Sequence, residues 1–327
     1  MKFGIIGTNF VSDFFMDGAK QETRCEIVAV CSISLEEADK FADKYNIEHR
    51  FDDYKKMAEA NLIEAVYIAV PNGLHKDITC YFLEKKIPVF CEKPMASNID
   101  EVRCMIDTAR ANNTYLHEGL IPLYNPNFKI VKETIAKVGK IHQVLFNFSK
   151  YSSRYDAYLR KENPTTFRAD LSNGAIMDLG VYIFADCIGL FGKPKQVFSA
   201  CELLDTKADV SGTSIFVYDD FVATLAYSKA SDTKVMSEIN GELGSIIIDQ
   251  PSQPQVITFV DRINKTETII SVKPQENFYY ELKMMIDCVE AGLIENEACS
   301  HQTSLDIHDV LTECRRQANL VFPADKK

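Results

Sequence analysis

Four short stretches hold side chains whose types and spacing could do chemistry. Gly7-Thr8-Asn9-Phe10-Val11-Ser12 closes an apolar run and opens a helical pattern. Pro71-Asn72-Gly73-Leu74-His75 follows AVYIAV, and Glu92-Lys93-Pro94 follows IPVFC. Gly174-Ala175-Ile176-Met177-Asp178-Leu179-Gly180-Val181-Tyr182 begins a second helical run. The first stretch approximates the phosphate-binding turn G-x-G-x-x-G/A, whose glycines permit a tight turn and close approach of backbone to a pyrophosphate. Gly7 fills the first place, Asn9 the second and Ser12 the third. Asparagine tolerates positive φ and serine is small, so the turn remains buildable. Backbone N–H groups after Gly7, those of Thr8, Asn9 and Phe10, would then meet the pyrophosphate at a helix N-terminus. A plain strand-to-helix turn that binds nothing is the other reading of the same hexapeptide.

Past the next strand the chain reads Cys31-Ser32-Ile33-Ser34. It offers neither a carboxylate for a ribose 2′-hydroxyl nor an arginine for a 2′-phosphate. The hydroxyls of Ser32 and Ser34, with Lys40 one helical turn on, suit a phosphate, which leans the cofactor toward NADP over NAD. Asp178 and Tyr182 stand i, i+4 and so share a helix face. An aspartate inside GAIMDLGVYIF needs a partner when buried, and Lys93 is the natural candidate. Tyrosine and lysine titrate at about 10 unperturbed. A neighbouring ammonium favours phenolate, and desolvation lowers a lysine, so each can be drawn toward neutrality. Without such an arrangement, Asp178 would merely assist a helical turn and Tyr182 would be a half-buried core residue.

These residues need elements to place them. Through residue 120, short β-branched runs (Lys2 to Gly7, Glu26 to Cys31, Ala65 to Val70, Ile87 to Cys91, Thr114 to His117) alternate with helical patterns. That alternation predicts β-α-β units and a doubly wound parallel sheet covered on both faces. Asp52 and Asn98 stand at N-cap positions. Ligands of such sheets lie beyond the carboxyl ends of the strands, where Gly7, Asn72, His75, Glu92 and Lys93 all fall. From residue 121 the rhythm changes to a long run of strands between helices, with an irregular stretch from Tyr151 to Asn173. We expect an α+β domain over 121–327 on a large open, mostly antiparallel sheet. The pair SIFVY-DD-FVATLAY is apolar on both faces, so the uncovered side of that sheet is expected to be a subunit interface.

Composition narrows the partners. The 327 residues carry 36 Lys and Arg against 47 Asp and Glu, a net charge of −11. Nucleic acid is therefore not an expected partner, because phosphate neutralisation needs a basic footprint. No run approaches the ~18 apolar residues of a membrane span. Ten cysteines never fall into C-x-x-C pairs, so neither zinc nor a disulfide framework is expected, and a reducing, cytoplasmic setting is.

Together, P-N-x-x-H, C-E-K-P and G-A-[LI]-x-D-x-G-x-[HY], in this order, resemble the glucose-fructose oxidoreductase / inositol dehydrogenase (Gfo/Idh/MocA) family over essentially the whole chain. The resemblance implies hydride transfer between NADP or NAD and a sugar, polyol or related polar small molecule. It implies Lys93, Asp178 and Tyr182 as the acting trio and a cis peptide before Pro94, while the apolar sheet face is what leads us to expect a homodimer or higher homo-oligomer. It also points to a cofactor site that includes Pro71, Asn72, His75, Glu92 and Lys93. Proton transfer is assigned to Tyr182, with Lys93 tuning it and Asp178 orienting both; Lys93 as the proton carrier is the open alternative. His117 and Glu118 are expected on the cleft floor, and Arg154, Tyr155, Tyr158 and Arg168 are weaker candidates for meeting substrate. Two other functions remain: a non-catalytic dinucleotide sensor, suggested by Asn9 and the neutral Ser32-Ile33-Ser34, and a dihydrodiol- or tetrapyrrole-type reductase.

Overall fold

Apolar strands capped by short polar turns build the first sheet. The computed structural model describes residues 1–326. The chain begins β1 (Lys2–Ile6), α1 (Phe10–Ala19), β2 (Glu26–Cys31), α2 (Leu35–Tyr45), β3 (His49–Phe51) and α3 (Tyr54–Glu59). It continues β4 (Ala65–Ile68), α4 (His75–Glu84), β5 (Val89–Glu92), α5 (Ile99–Asn112) and β6 (Leu116–Gly119). All six strands pair in parallel in the order β3-β2-β1-β4-β5-β6, the doubly wound arrangement. The edge strand β3 has no counterpart in the sequence reading, which ran from α2 to α3 without it. Asp53, not Asp52, caps α3 by accepting the Lys55 N–H, while Asn98 caps α5 as expected.

The second stretch runs α6 (Ile121–Tyr124), α7 (Pro126–Thr134), β7 (Ile141–Ser149), α8 (Ser153–Leu159) and α9 (Val181–Phe191). Then come β8 (Gln196–Leu203), β9 (Asp209–Val217), β10 (Val222–Ser228), β11 (Ser237–Gly241), β12 (Gly244–Ile248), β13 (Ile257–Asp261) and β14 (Thr266–Ile269). The chain closes with α10 (Asn277–Glu290) and α11 (His301–Gln317). The sheet order is β14-β13-β12-β11-β7-β10-β9-β8, antiparallel except for the parallel pair β7 and β10. Part of the stretch expected to be irregular is helical: Ser152 caps α8 by accepting the Arg154 N–H.

The chain forms two compact units, Met1–Gly119 with Gln275–Ser304, and Leu120–Pro274 with Leu305–Lys327. A single cut after residue 120 therefore misplaces Gln275–Ser304, which belongs with the first unit. The reason is aromatic packing. Phe278 of α10 joins a cluster with Phe15, Tyr67 and Phe90, in which Phe15 and Tyr67 stack at 3.9 Å. Gly18 of α1 lies so close to Phe278 that an added Cβ would come within 2.6 Å of it. No helix among the described residues is long and apolar enough to cross a membrane.

Candidate active site

The turn after β1 is built around a missing side chain. Gly7 has φ +99°, and a Cβ there would lie 2.0 Å from the Ala69 carbonyl oxygen at the end of β4. The Gly7 N–H donates to Cys31 O at 2.9 Å, and Ser12 Oγ donates back to Gly7 O at 2.7 Å. Asn9 does not use the left-handed conformation argued for it, having φ −81° and ψ 177°. It is instead the N-cap of α1: Oδ1 accepts the Val11 N–H at 2.9 Å, and Nδ2 donates to Ala69 O at 2.8 Å. Its side chain thus ties the turn to the same carbonyl that forbids a side chain at Gly7. No described residue accepts the N–H groups of Thr8, Asn9 or Phe10. These amides, at the positive end of α1, suit a pyrophosphate.

Thr8 Oγ1 and Ser32 Oγ lie 2.8 Å apart, joining this turn to the end of β2. Ser34 caps α2 by accepting the Glu37 N–H, and Lys40 is paired with Glu36 and Glu37 at 2.9 and 3.0 Å. Lys40 is thus held along its own helix by exposed pairs of the kind worth only tenths of a kcal/mol, roughly.

The turn after β5 is held from beneath. The Lys93–Pro94 peptide is cis. Pro94 O lies 3.0 Å from His75 Nδ1, whose Nε2 faces Val70 O at 2.8 Å, and burial keeps this imidazole below its usual range. His75 therefore braces the turns after β4 and β5 with a fully buried ring. Glu118 accepts the Met95 N–H at 2.8 Å, and the His117 ring lies tilted against Phe90 with centroids 4.2 Å apart, so both are inside the unit. Glu92, also buried, accepts the Tyr67 hydroxyl at 2.8 Å and the Lys93 N–H at 3.2 Å. Burial pushes its carboxyl up to about 7 against the pull of the Lys93 charge, and buried Glu281 of α10 adds repulsion to the same cluster.

A raised carboxyl stabilises the fold below its unfolded value near 4.5, and that stability is lost as pH rises through about 7. Between pH 5.5 and 8 Glu92 should cost about 2 kcal/mol of unfolding free energy. Urea denaturation across that range should show the decline, and Glu92→Gln should remove this share of it, leaving the share of Asp209, whose buried carboxyl is also raised to about 7.

In the second unit, Ile176–Gly180 forms a π-helical turn leading into α9. Asp209 opens β9 and accepts the Ile176 N–H through Oδ2 at 2.7 Å. Its Oδ1 approaches Gly174 so closely that a Cβ there would stand 2.0 Å away. Asp209 thus anchors the start of the helix that carries Asp178 and Tyr182, and burial raises its own carboxyl to about 7. Both Asp178 and Tyr182 are partly exposed; Tyr182 packs edge-on against Phe148 at 5.8 Å, and Asp178 pairs with Lys229. Lys229 and Asp209 were not singled out in the sequence. The available signals were a lysine directly after the apolar run VATLAY-Ser228, and an aspartate flanked by Ala208 and Val210.

Of the weaker candidates, Arg168 is paired with Asp170, and the Tyr158 hydroxyl donates to Asp205 at 2.7 Å. His301 is buried, its Nε2 3.1 Å from Leu116 O.

A doubly wound parallel sheet whose glycine turn presents amides at a helix N-terminus has the form of a dinucleotide-binding domain. Residues 1–120 match an oxidoreductase family with an NAD-binding Rossmann fold, and the protein is an NAD(P)-dependent oxidoreductase. Residues 128–247 match the GFO/IDH/MocA C-terminal domain. The chain belongs to the Gfo/Idh/MocA family.

It is 40% identical over 325 residues to the uncharacterized oxidoreductase YgjR of Escherichia coli strain K12, covering 99% of this chain and 98% of the relative. It is 37% identical over 326 residues to the scyllo-inositol 2-dehydrogenase (NADP(+)) IolU of Bacillus subtilis strain 168, covering 100% and 99%. Among solved structures, a 3-ketoreductase from Actinomadura kijaniata in complex with NADP and TDP-benzene shares the fold, with a TM-score of 0.86 at 18% identity over 98% of this chain and 99% of that one.

Proposed function

We propose that this oxidoreductase oxidises a secondary hydroxyl of a polyol or sugar, with NADP preferred, and that Lys93, Asp178 and Tyr182 act on that hydroxyl. The observation that carries the reading is the Asp178 and Tyr182 pair on one anchored helix, in a chain that aligns end to end with an NADP-dependent scyllo-inositol dehydrogenase. A bound nicotinamide would supply the hydride acceptor, which leaves the protein to supply the proton acceptor. Tyr182 Oη receives the hydroxyl proton. The Lys93 ammonium favours the phenolate and bonds the nicotinamide ribose. Asp178 orients both of these groups.

Backbone N–H groups of Thr8, Asn9 and Phe10 would hold the pyrophosphate, with Gly7 leaving the room. Ser32 and Ser34 would bond the 2′-phosphate, and Pro71 and Asn72 would flank the nucleotide beyond β4. Supporting this placement, Phe10, Ile33 and Leu74 follow β1, β2 and β4 and are 64, 94 and 51% exposed. Such apolar side chains gain when a nucleotide covers them. His75 acts through the turn it braces.

The outer face of the second sheet supports self-association. Phe198 and Ile215 are register partners on β8 and β9, and both are exposed, as is Val222 on β10. We assign this face to a homodimer contact in the cytoplasm, checked by light scattering of wild type against Phe198→Asp. The function itself is tested by a panel of inositols, other polyols and sugars with NADP and NAD, following reduced nicotinamide. Turnover of a polyol, faster with NADP, supports the reading. Cofactor binding without turnover of any member would overturn it.

A further inference from the structure

Asp178 has a neighbour that no motif marks. The Lys229 ammonium forms an ion pair with Asp178 Oδ2. Lys229 directly follows β10, and its backbone is fixed at both ends: its N–H donates to Val210 O at 2.8 Å, and its carbonyl accepts the Ser152 N–H at 2.9 Å. The two partners are unequally placed, the Lys229 side chain being 7% exposed and that of Asp178 43%. A buried ammonium held against a more exposed carboxylate cannot leave it without a large desolvation cost. The carboxylate is thereby kept ionised and fixed in direction.

The ionisable groups around Asp178 define what this charge does. Tyr182 stands four residues on. Asp209 on β9 is committed to the Ile176 N–H, and the ring of Tyr227 on β10 lies against Gly180. The ionisable residue on β7 is His142, near the strand's start and 3.2 Å from Glu242. The lysine cation is thus set against the carboxylate that stands one helical turn from the phenol.

We propose that Lys229 is a positioning residue of the active site, holding Asp178 ionised and fixed in direction and cancelling its charge toward Tyr182. This rests on the reading that Asp178 and Tyr182 serve the reaction. Removing the cation disfavours both anions, the carboxylate of Asp178 and the phenolate of Tyr182, so both titrate at higher pH. The acidic limb of kcat/KM should therefore move upward in Lys229→Met by about one to three units, the range a close opposite charge commands. Lys229→Arg retains the charge and should keep the limb near wild type.

The test measures kcat/KM against pH, with thermal unfolding, for wild type, Lys229→Met, Lys229→Arg, Asp178→Asn and the Lys229→Met/Asp178→Asn double variant, on the polyol that the panel identifies. Lys229→Gln carries the same prediction should Lys229→Met not fold. An upward limb in the neutral variants that Lys229→Arg restores supports the proposal, as does a smaller shift when Lys229→Met is added to Asp178→Asn. A folded Lys229→Met or Lys229→Gln with the wild-type limb overturns it and leaves Lys229 a purely structural residue. Wild-type kinetics in Asp178→Asn would instead overturn the catalytic reading of Asp178 itself.

Discussion

Tyr182→Phe lowers kcat for polyol oxidation by about 10²- to 10⁴-fold, the span that a positioned proton acceptor contributes. Phenylalanine keeps the ring that packs against Phe148 at 5.8 Å, so the helix and its anchor at Asp209 stay in place. Dinucleotide affinity, read by fluorescence of the reduced cofactor, should be unchanged, because the tyrosine is not asked to hold it. The loss should appear in kcat and kcat/KM alike, the mark of an interaction made in the transition state. Retention of kcat within a few-fold would move the proton to Lys93, and Lys93→Met would then carry the large loss instead.

Gly7→Ala is expected to abolish dinucleotide binding and to destabilise the protein by several kcal/mol, roughly the sum of a left-handed backbone strain and a steric overlap. The second contribution decides the outcome. Gly192 also has a positive φ, +77°, but has nothing within 4 Å of an added Cβ. Gly192, with ψ −174°, sits in a backbone region reserved for glycine, so Gly192→Ala should lose about 1 to 3 kcal/mol from strain alone. At Gly7 the obstacle is the Ala69 carbonyl at 2.0 Å, backbone that cannot swing aside and that also accepts Asn9 Nδ2. Relief requires β1 and β4 to separate or the turn to open, and either moves the amides of Thr8, Asn9 and Phe10. Thermal unfolding of both variants, with cofactor titration, separates strain from overlap. Equal melting shifts would contradict this account of the turn.

What could be read from residues alone divides along physical lines. The apolar strands β1, β2, β4 and β5 announce themselves because strands covered on both faces are continuous apolar runs. β3 does not: it is three residues at the sheet edge, with Arg50 exposed at its centre and bonded to Asp43 at 2.7 Å. Asn9 shows how a correct position can carry the wrong reason. The residue keeps the turn buildable, yet by capping α1 and bonding Ala69 O, not by taking a left-handed conformation.

The motifs likewise mark Lys93, Asp178 and Tyr182 but give no sign of what steadies them. Glu92 and Glu118 are held by Tyr67 and Met95, and Asp209 and Lys229 reach the helical segment of Asp178 and Tyr182 from β9 and the end of β10. Those contacts depend on sheet register, and no local spacing encodes register between distant strands. The assignment of Gln275–Ser304 to the first unit has the same origin, since Phe278 finds its aromatic partners far back along the chain.

The central claim is direct hydride transfer from a polyol carbon, with the proton leaving to Tyr182. It is tested most directly with the best substrate from the panel, deuterated at the reacting carbon. Deuterium should appear on the reduced nicotinamide, with a primary isotope effect on kcat/KM that persists in the slower Tyr182→Phe enzyme. Solvent hydrogen on the reduced ring, or turnover indifferent to both the label and Tyr182, would contradict it.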